Sequence, residues 1–109
     1  MNEILLVITN LPDAPAAARL AQHLIDERAA ACVNQLAPCT STYRWQGKIE
    51  SATEVTLLIK STRAAYPRLE KLISMAHPYE LPEIIAVPVT AGLPAYLNWI
   101  DNETIITKD

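Results

Sequence analysis

The chain has 109 residues and a mass of 12.0 kDa, a common size for a single domain. Half of its residues are apolar, a proportion that excludes an intrinsically disordered chain. The formal net charge of −3 and the pI of 5.3, with Lys and Arg scattered along the sequence, argue against a nucleic-acid-binding surface.

No apolar run approaches the length of a membrane span, and the N-terminus lacks the basic start and long apolar stretch of a secretory signal. We therefore expect a cytoplasmic protein that binds neither membrane nor nucleic acid. Its two cysteines, Cys32 and Cys39, belong to one extended segment. At about 3.3 Å per residue they lie about 23 Å apart, which is too far for a disulfide, so we expect reduced thiols.

The first half of the chain predicts a strand followed by an amphipathic helix. The unbroken aliphatic run Ile4–Ile8 is typical of a strand buried on both faces. Asp13 is a candidate N-cap for a helix whose apolar residues recur at helical spacing from Ala17 to Ile25.

A long hairpin is expected next. An extended region over Cys32–Trp45, interrupted by Pro38, turns at Gln46-Gly47 and returns as a strand over Lys48–Lys60. Both arms exceed the usual strand length, so the hairpin is expected to project beyond its own sheet.

The second half predicts two helices and two strands. Ser61 or Thr62 is expected to cap a second helix, which ends at His77-Pro78. The remaining predicted elements are a strand over Ile84–Val87, a short helix over Pro94–Ile100 and a short terminal strand over Thr104–Thr107.

This order is β-α-β-β-α-β with a C-terminal extension, which indicates a ferredoxin-like α+β sandwich as one domain over residues 1–109. Such a sheet carries helices on one face only. The first and last core strands are apolar on both faces, so the helix-free face should expose an apolar patch that soluble monomers seldom show. Another copy of the chain is the expected cover, reached by the long hairpin; the alternative is that the C-terminal extension folds back over this face.

Several functions found on this fold are excluded by missing residues. The strand segment Glu54–Ile59 has no aromatic side chains to stack RNA bases. The loop Thr9–Asp13 has no paired cysteines for a soft metal, and neither Gly47 nor Gly92 lies in a phosphate-binding loop. No nucleophile motif is present, and we expect that the protein is not an enzyme.

Three motifs, in order along the chain, resemble the CutA divalent-cation tolerance family. They are Ala29–Asn34, the Tyr-Arg-Trp-x-Gly-Lys-x-Glu hairpin tip over Tyr43–Glu50, and His-Pro-Tyr-Glu-x-Pro-Glu-Ile over His77–Ile84. The resemblance extends to Tyr96–Ile100 and so covers nearly the whole chain.

The resemblance implies a homotrimer with a ferredoxin-like fold, similar in architecture to the PII signalling proteins. It also implies a role in the response to copper and other divalent cations. Cu²⁺ or another divalent cation is therefore a candidate ligand, and the resemblance implies no definite cofactor. Some bacterial relatives carry a proposed copper-binding cysteine near the end of the first strand. The matching residues here, Leu6–Thr9, contain no sulfur.

Five residues are candidate metal ligands. His77 offers an imidazole, although its position at a helix end before Pro78 favours a cation at the helix C-terminus or a hydrogen-bonded anchor for the loop. Cys32 and Cys39 offer thiolates, although apolar surroundings favour an inert thiol at Cys32. Glu80 and Glu83 offer carboxylates for a hard cation, or simply solvate their loop.

A second group of residues is expected at clefts between subunits. Tyr43 and Trp45 alternate on one face of the exposed arm, which favours an interface anchor over a catalytic device. Glu54 and Lys60 share a strand face about 20 Å apart, so each needs another partner. The predicted cleft residues are Tyr43, Trp45, Lys60, His77, Tyr79 and Glu83, with Arg44, Glu54 and Trp99 as further cleft or interface residues.

Two hypotheses for function follow. The first is a trimer that binds a divalent metal ion or a small ligand at these clefts. The second is a PII-like signalling module that binds an anionic metabolite or nucleotide, with Lys60 and Arg44 as charge partners; a trimer linked only indirectly to metals is a further alternative.

Overall fold

The computed structural model describes residues 2–106, which form five strands and three helices. The elements are β1 (Ile4–Leu11), α1 (Ala14–Asp26), β2 (Cys32–Gln35), β3 (Cys39–Trp45), β4 (Lys48–Thr62), α2 (Tyr66–Ala76), β5 (Ile85–Pro88) and α3 (Pro94–Glu103).

The sheet is antiparallel and is built around β1 and β4. These strands pair over eight residues, from Ile4 opposite Thr62 to Leu11 opposite Val55. Strand β5 pairs with the other edge of β1, and β2 pairs with β4, which gives the order β2-β4-β1-β5. This order, with a helix after β1 and another after β4, confirms the predicted ferredoxin-like α+β fold.

Helices α1 and α2 cover one face of the sheet and enclose the core. Alternate residues of β1 and β4 point to this face, which fixes the register of the pair. The largest fully buried apolar side chains on these four elements are Val7, Leu11, Leu24, Leu57, Ile59, Leu69 and Ile73. Asp13 caps α1 as predicted, because its carboxylate accepts the amide hydrogen of Ala16 at 2.8 Å.

The other face of the sheet, which we call the second face, is also apolar but only partly covered. Leu6, Ile8 and Leu58 are half-buried on it, and Ile85 and Val87 of β5 are 51% and 46% exposed. Helix α3 covers one end. Its Ile100 is buried, and the Lys60 ammonium on the second face lies 5.6 Å from the centre of the Tyr96 ring. The C-terminal extension therefore folds back, but it leaves the β5 side of this face open.

The hairpin of β3 and β4 projects from the sheet as predicted. Its two-residue turn has φ of 50° at Gln46 and 80° at Gly47, the left-handed geometry of tight hairpin turns. Trp45 lies opposite Lys48, and pairing continues to Cys39 opposite Glu54. The break that Pro38 predicts is present, since it separates β2 from β3.

The predicted terminal strand over Thr104–Thr107 is wrong for its described residues. Thr104, Ile105 and Ile106 belong to no strand, and Thr107 lies outside the described residues. Helix α3 instead continues past Ile100 to Glu103, and the Thr104 hydroxyl donates to the carbonyl groups of Ile100 and Asp101 at 3.1 Å each. A run of β-branched residues favours a strand only where another strand is available to pair with it.

Both cysteines are free thiols. Among residues 2–106, no helix has the length and apolar character needed to cross a membrane.

We predict that the core depends on α2 through one face of that helix. Leu69→Ala should lower the free energy of unfolding by about 2–5 kcal/mol, because Leu69 is fully buried and its truncation leaves a cavity. Met75→Ala on the same helix is the matched control; it should change stability by less than about 0.5 kcal/mol, since Met75 is 74% exposed. Urea unfolding at one fixed protein concentration measures both. Equal effects of the two substitutions would contradict this orientation of α2.

Candidate functional site

A cavity of about 1100 Å³ opens between the hairpin and the loop that joins α2 to β5. We call it the acidic cleft. One wall is the hairpin, the opposite wall is the loop, and Asn10 at the end of β1 lies between them. The residues that line it are Asn10, Ser41, Thr42, Tyr43, Trp45, Ala52, Glu54, Pro78, Tyr79, Glu80, Leu81, Pro82, Glu83, Ile84 and Ile85.

The hairpin wall owes its aromatic surface to the strand register. Tyr43 and Trp45 are alternate residues of β3, so both side chains lie on the same face. Ser41 pairs with Ala52 and Cys39 pairs with Glu54, which places Glu54 on that face as well. Small side chains at Ser41 and Ala52 leave room between the aromatic tip and Glu54.

Asn10 joins the end of β1 to β4 and to the loop wall of the cleft through three hydrogen bonds. Its Nδ2 donates to Glu83 Oε1 at 2.9 Å, and its Oδ1 accepts the Thr56 hydroxyl hydrogen at 2.6 Å. Its backbone carbonyl bonds to His77 Nε2 at 2.6 Å. The end of β1 is therefore joined to β4 and to both ends of the loop wall.

His77 anchors the loop wall and has no free ring nitrogen. It follows the last residue of α2, and its side chain is buried. Nδ1 accepts the Tyr79 amide hydrogen at 3.2 Å, so Nε2 carries the proton and donates it to Asn10. The imidazole also contacts the Tyr79 ring, with 4.7 Å between ring centres. This arrangement favours the anchoring alternative over metal ligation.

The cleft is acidic. Three glutamates line it, Glu54, Glu80 and Glu83, and no Lys, Arg or His is among the lining residues. Glu54 is 8% exposed, whereas Glu80 and Glu83 are exposed at the mouth. Burial of the Tyr79 phenol, and then the neighbouring Glu54 carboxylate, raise the pKa of Tyr79 to about 12. The phenol therefore stays neutral beside Glu54 at physiological pH.

The candidate metal ligands are spread over several places. Glu80 and Glu83 share the cleft, His77 lies behind it, and Cys39 pairs with Glu54 in the hairpin. Cys32 is on β2 opposite Lys60, away from the cleft. Within residues 2–106, no three His, Cys, Asp or Glu side chains come close enough to hold a metal ion.

Three of the predicted cleft or interface residues lie elsewhere. Lys60 and Trp99 belong to a cluster with Tyr96 where α3 meets the second face; the rings of Tyr96 and Trp99 stack with their centres 5.6 Å apart. Ile100, rather than Trp99, packs α3 onto the rest of the chain, since Ile100 is buried and Trp99 is 41% exposed. Arg44 lies opposite Ile49, on the hairpin face that Tyr43 does not share.

Sequence reasoning missed Asn10, which holds the cleft together. A signal was available, because Asn10 is a polar residue at the end of an aliphatic strand, on the same face as Leu6 and Ile8. Its partners were not predictable, since Thr56, His77 and Glu83 are all distant in sequence.

The sequence and the fold are similar to those of known proteins. The family model of the CutA1 divalent ion tolerance protein matches residues 5–103. The chain belongs to the CutA1 family. The divalent-cation tolerance protein CutA of Thermus thermophilus is 40% identical over 104 residues, which cover 95% of this chain and 99% of that protein. Animal and plant CutA proteins are longer, and the chain spans about half of their length.

Solved structures of the family share the fold. CutA from Xylella fastidiosa superposes with a TM-score of 0.92 at 46% identity, covering 94% of this chain and 99% of that one. The structure of a protein described as the PII-like protein CutA, from a Nostoc species, superposes with a TM-score of 0.87 at 37% identity, covering 94% and 99% of the two chains.

We predict that Tyr79 titrates separately from ordinary tyrosines. Its folded pKa of about 12 exceeds the value of 10.0 for a free phenol. The stability that this shift contributes is therefore complete below pH 10 and is lost as the pH rises from 10 towards 12. Tyr79→Phe should remove this late step from a tyrosinate absorbance titration carried out by rapid pH jump.

Glu54→Gln should lower the pKa of Tyr79, because it removes the neighbouring carboxylate. Glu50→Gln is the matched control, since Glu50 is on the same strand but does not line the cleft. If Tyr79 ionises at the same pH in the wild type and in Glu54→Gln, the contact between Tyr79 and Glu54 is wrong.

Proposed function

We propose that this CutA-family chain is a homotrimeric, non-catalytic protein of the cytoplasm that takes part in the response to divalent metal ions by binding cations at its acidic cleft. The observation that carries the proposal is the charge of the cleft, which three glutamates line without any basic residue. A cavity with carboxylates of one sign raises the local concentration of cations.

The second face supports assembly with sister chains. Ile85 and Val87 remain about half exposed, next to the half-buried Leu6, Ile8 and Leu58. Burying such side chains fully is worth about 1.5–3 kcal/mol each. The projecting hairpin carries Tyr43 and Trp45, which are 44% and 36% exposed and suited to anchoring an interface. The resemblance to the CutA family favours three copies.

Glu80 and Glu83 are the carboxylates best placed for a divalent ion. Both lie at the mouth of the cleft, and the hydrogen bond from Asn10 orients Glu83. Two carboxylates leave most coordination positions to water or to a neighbouring subunit, so we expect weak, partly hydrated binding. Neither a free His77 nitrogen nor a cysteine pair is needed for this site.

The charge of the cleft favours a cation over the anionic metabolite of the second hypothesis. Lys60 and Arg44, the charge partners which that hypothesis requires, do not line the cleft. The Lys60 ammonium is directed to the Tyr96 ring instead. A nucleotide in the cleft would place its phosphates beside Glu80 and Glu83.

We predict that the wild type binds Cu²⁺ more tightly than Zn²⁺, the usual order for oxygen and nitrogen ligands. The double variant Glu80→Gln/Glu83→Gln should bind both ions more weakly by about tenfold or more. Loss of a group that only hydrogen-bonds to a metal ligand already lowers metal affinity on this scale. Isothermal titration calorimetry at neutral pH measures the affinities.

Glu50→Gln is the control for this experiment, because Glu50 is an exposed glutamate of the same hairpin outside the cavity lining. It should bind both ions as the wild type does. Equal affinities for the wild type and the double variant would show that metal binds elsewhere and would contradict the proposed metal site.

A further inference from the structure

His77 holds the loop wall through two hydrogen bonds that use its ring nitrogens in opposite roles. Nε2 donates to the Asn10 carbonyl at 2.6 Å, and Nδ1 accepts the Tyr79 amide hydrogen at 3.2 Å. Only the neutral imidazole offers one donor and one acceptor. The residue is 8% exposed, so water has little access to replace either partner. The anchoring of the loop therefore depends on the protonation state of one side chain.

A second proton on the ring can only be placed at Nδ1, because Nε2 already carries one. At Nδ1 it would point at the Tyr79 amide hydrogen, and the bond that holds the loop would become a contact between two donors. The bond from Nε2 to the Asn10 carbonyl would be kept, since the charged ring still donates there. Proton uptake therefore frees the loop at Tyr79 while His77 stays bonded to β1.

The electrostatic surroundings of His77 favour a cation. The titratable groups on the loop, the hairpin and the start of α1 are the carboxyl groups of Asp13, Glu54, Glu80 and Glu83 and the phenols of Tyr43 and Tyr79. No Lys or Arg is among the described residues that line the cleft. His77 is also the C-cap of α2, where the helix dipole favours positive charge. Burial and the Tyr79 amide oppose the cation, so the ring has two competing states.

The Tyr79 phenol does not titrate together with His77. Burial, followed by the hydrogen bond to Glu54, raises the pKa of Tyr79 to about 12. The phenol therefore stays neutral throughout the pH range in which histidines change charge.

The segment that His77 holds carries part of the proposed cation site. Glu80 directly follows Tyr79 in the loop, whereas Glu83 is held separately by the side chain of Asn10 at 2.9 Å. Release at Tyr79 therefore moves Glu80 and leaves Glu83 in place. The two carboxylates proposed to share a divalent ion would then be separated.

We propose that protonation of His77 releases the loop wall at Tyr79 and thereby lowers the affinity of the acidic cleft for divalent cations. Histidine is the side chain whose charge ordinarily changes between about pH 5 and pH 8, so mild acidification is the signal. Free carboxylates gain protons near about pH 4, so they do not produce this effect. The loss of the cation rests on the proposed function, whereas the release of the loop requires no bound ion.

Protection of the Tyr79 amide against hydrogen exchange, measured by NMR on the full chain, reports on the loop directly. It is expressed relative to the intrinsic exchange rate at each pH. In the wild type it should fall at least about fivefold between about pH 7.5 and about pH 5.5, the scale of one lost hydrogen bond. The midpoint should coincide with proton uptake by the His77 ring in an NMR titration. Constant protection through that uptake, or a ring that stays neutral at the lower pH, would overturn the inference.

His77→Asn removes the titration and keeps an acceptor for the Tyr79 amide, because an Asn side chain bonds to the backbone two residues on. Its Tyr79 protection should be the same at both pH values. His23→Asn is the matched control, since His23 is the other histidine of the chain and is exposed on α1; it should keep the wild-type change. Circular dichroism establishes folding, and the wild-type titrations decide if His77→Asn does not fold. A loss of protection that persists in folded His77→Asn also contradicts the inference.

Calorimetric titration with Zn²⁺ at the same two pH values tests the link to the cleft. On acidification the affinity of the wild type and of His23→Asn should fall at least about tenfold further than that of His77→Asn, the scale on which loss of a group that positions a metal ligand lowers affinity. Equal falls in all three proteins would overturn the inference and leave the metal site standing. Absence of Zn²⁺ binding at both pH values would overturn the proposed function and not the release of the loop, which the exchange of the Tyr79 amide decides by itself.

Discussion

The whole arrangement depends on a sheet that is apolar on both faces while its two large helices cover only one. Strands β1 and β4 bury Val7, Leu57 and Ile59 beneath α1 and α2, and this burial fixes their register. The same register directs Leu6, Ile8 and Leu58 to the second face. Helix α3 covers one end of that face and leaves Ile85 and Val87 about half exposed. The proposed assembly follows from the part of the second face that α3 leaves uncovered.

The cleft is a consequence of the same register, continued beyond the sheet. β4 is 15 residues long, so its first part leaves the sheet and pairs with β3 as a free hairpin. The alternation that points Leu58 to the second face also points Glu54 into the cleft. Asn10, at the end of β1, then bonds to the loop that closes the other side. The same alternation of side chains along β4 therefore produces both the apolar second face and the acidic cleft beside it.

Most of the fold could be predicted because it is encoded locally. The aliphatic run of β1, the Asp13 cap and the Gln46-Gly47 turn each determine their own element, and the order of elements restricts the topology. The terminal strand was mispredicted because Thr104–Ile106 favours a strand by composition, while strand formation also needs a partner. The described residues offer it none, and Thr104 closes α3 instead.

The site was harder to predict than the fold. Four of the predicted cleft residues do line one cavity: Tyr43, Trp45, Tyr79 and Glu83. Asn10 was missed, however, and Lys60 lies at α3 instead of in the cleft. Such placements depend on contacts between residues far apart in sequence.

Sedimentation equilibrium of the wild-type chain at micromolar concentration and neutral pH tests the central claim most directly. If sister chains cover the second face, the protein should sediment as one species of three 12.0 kDa chains. It should keep that mass on dilution for as long as it stays folded. A folded species of one 12.0 kDa chain that persists over the same range would show that the exposed β5 side chains need no cover, and it would contradict the account.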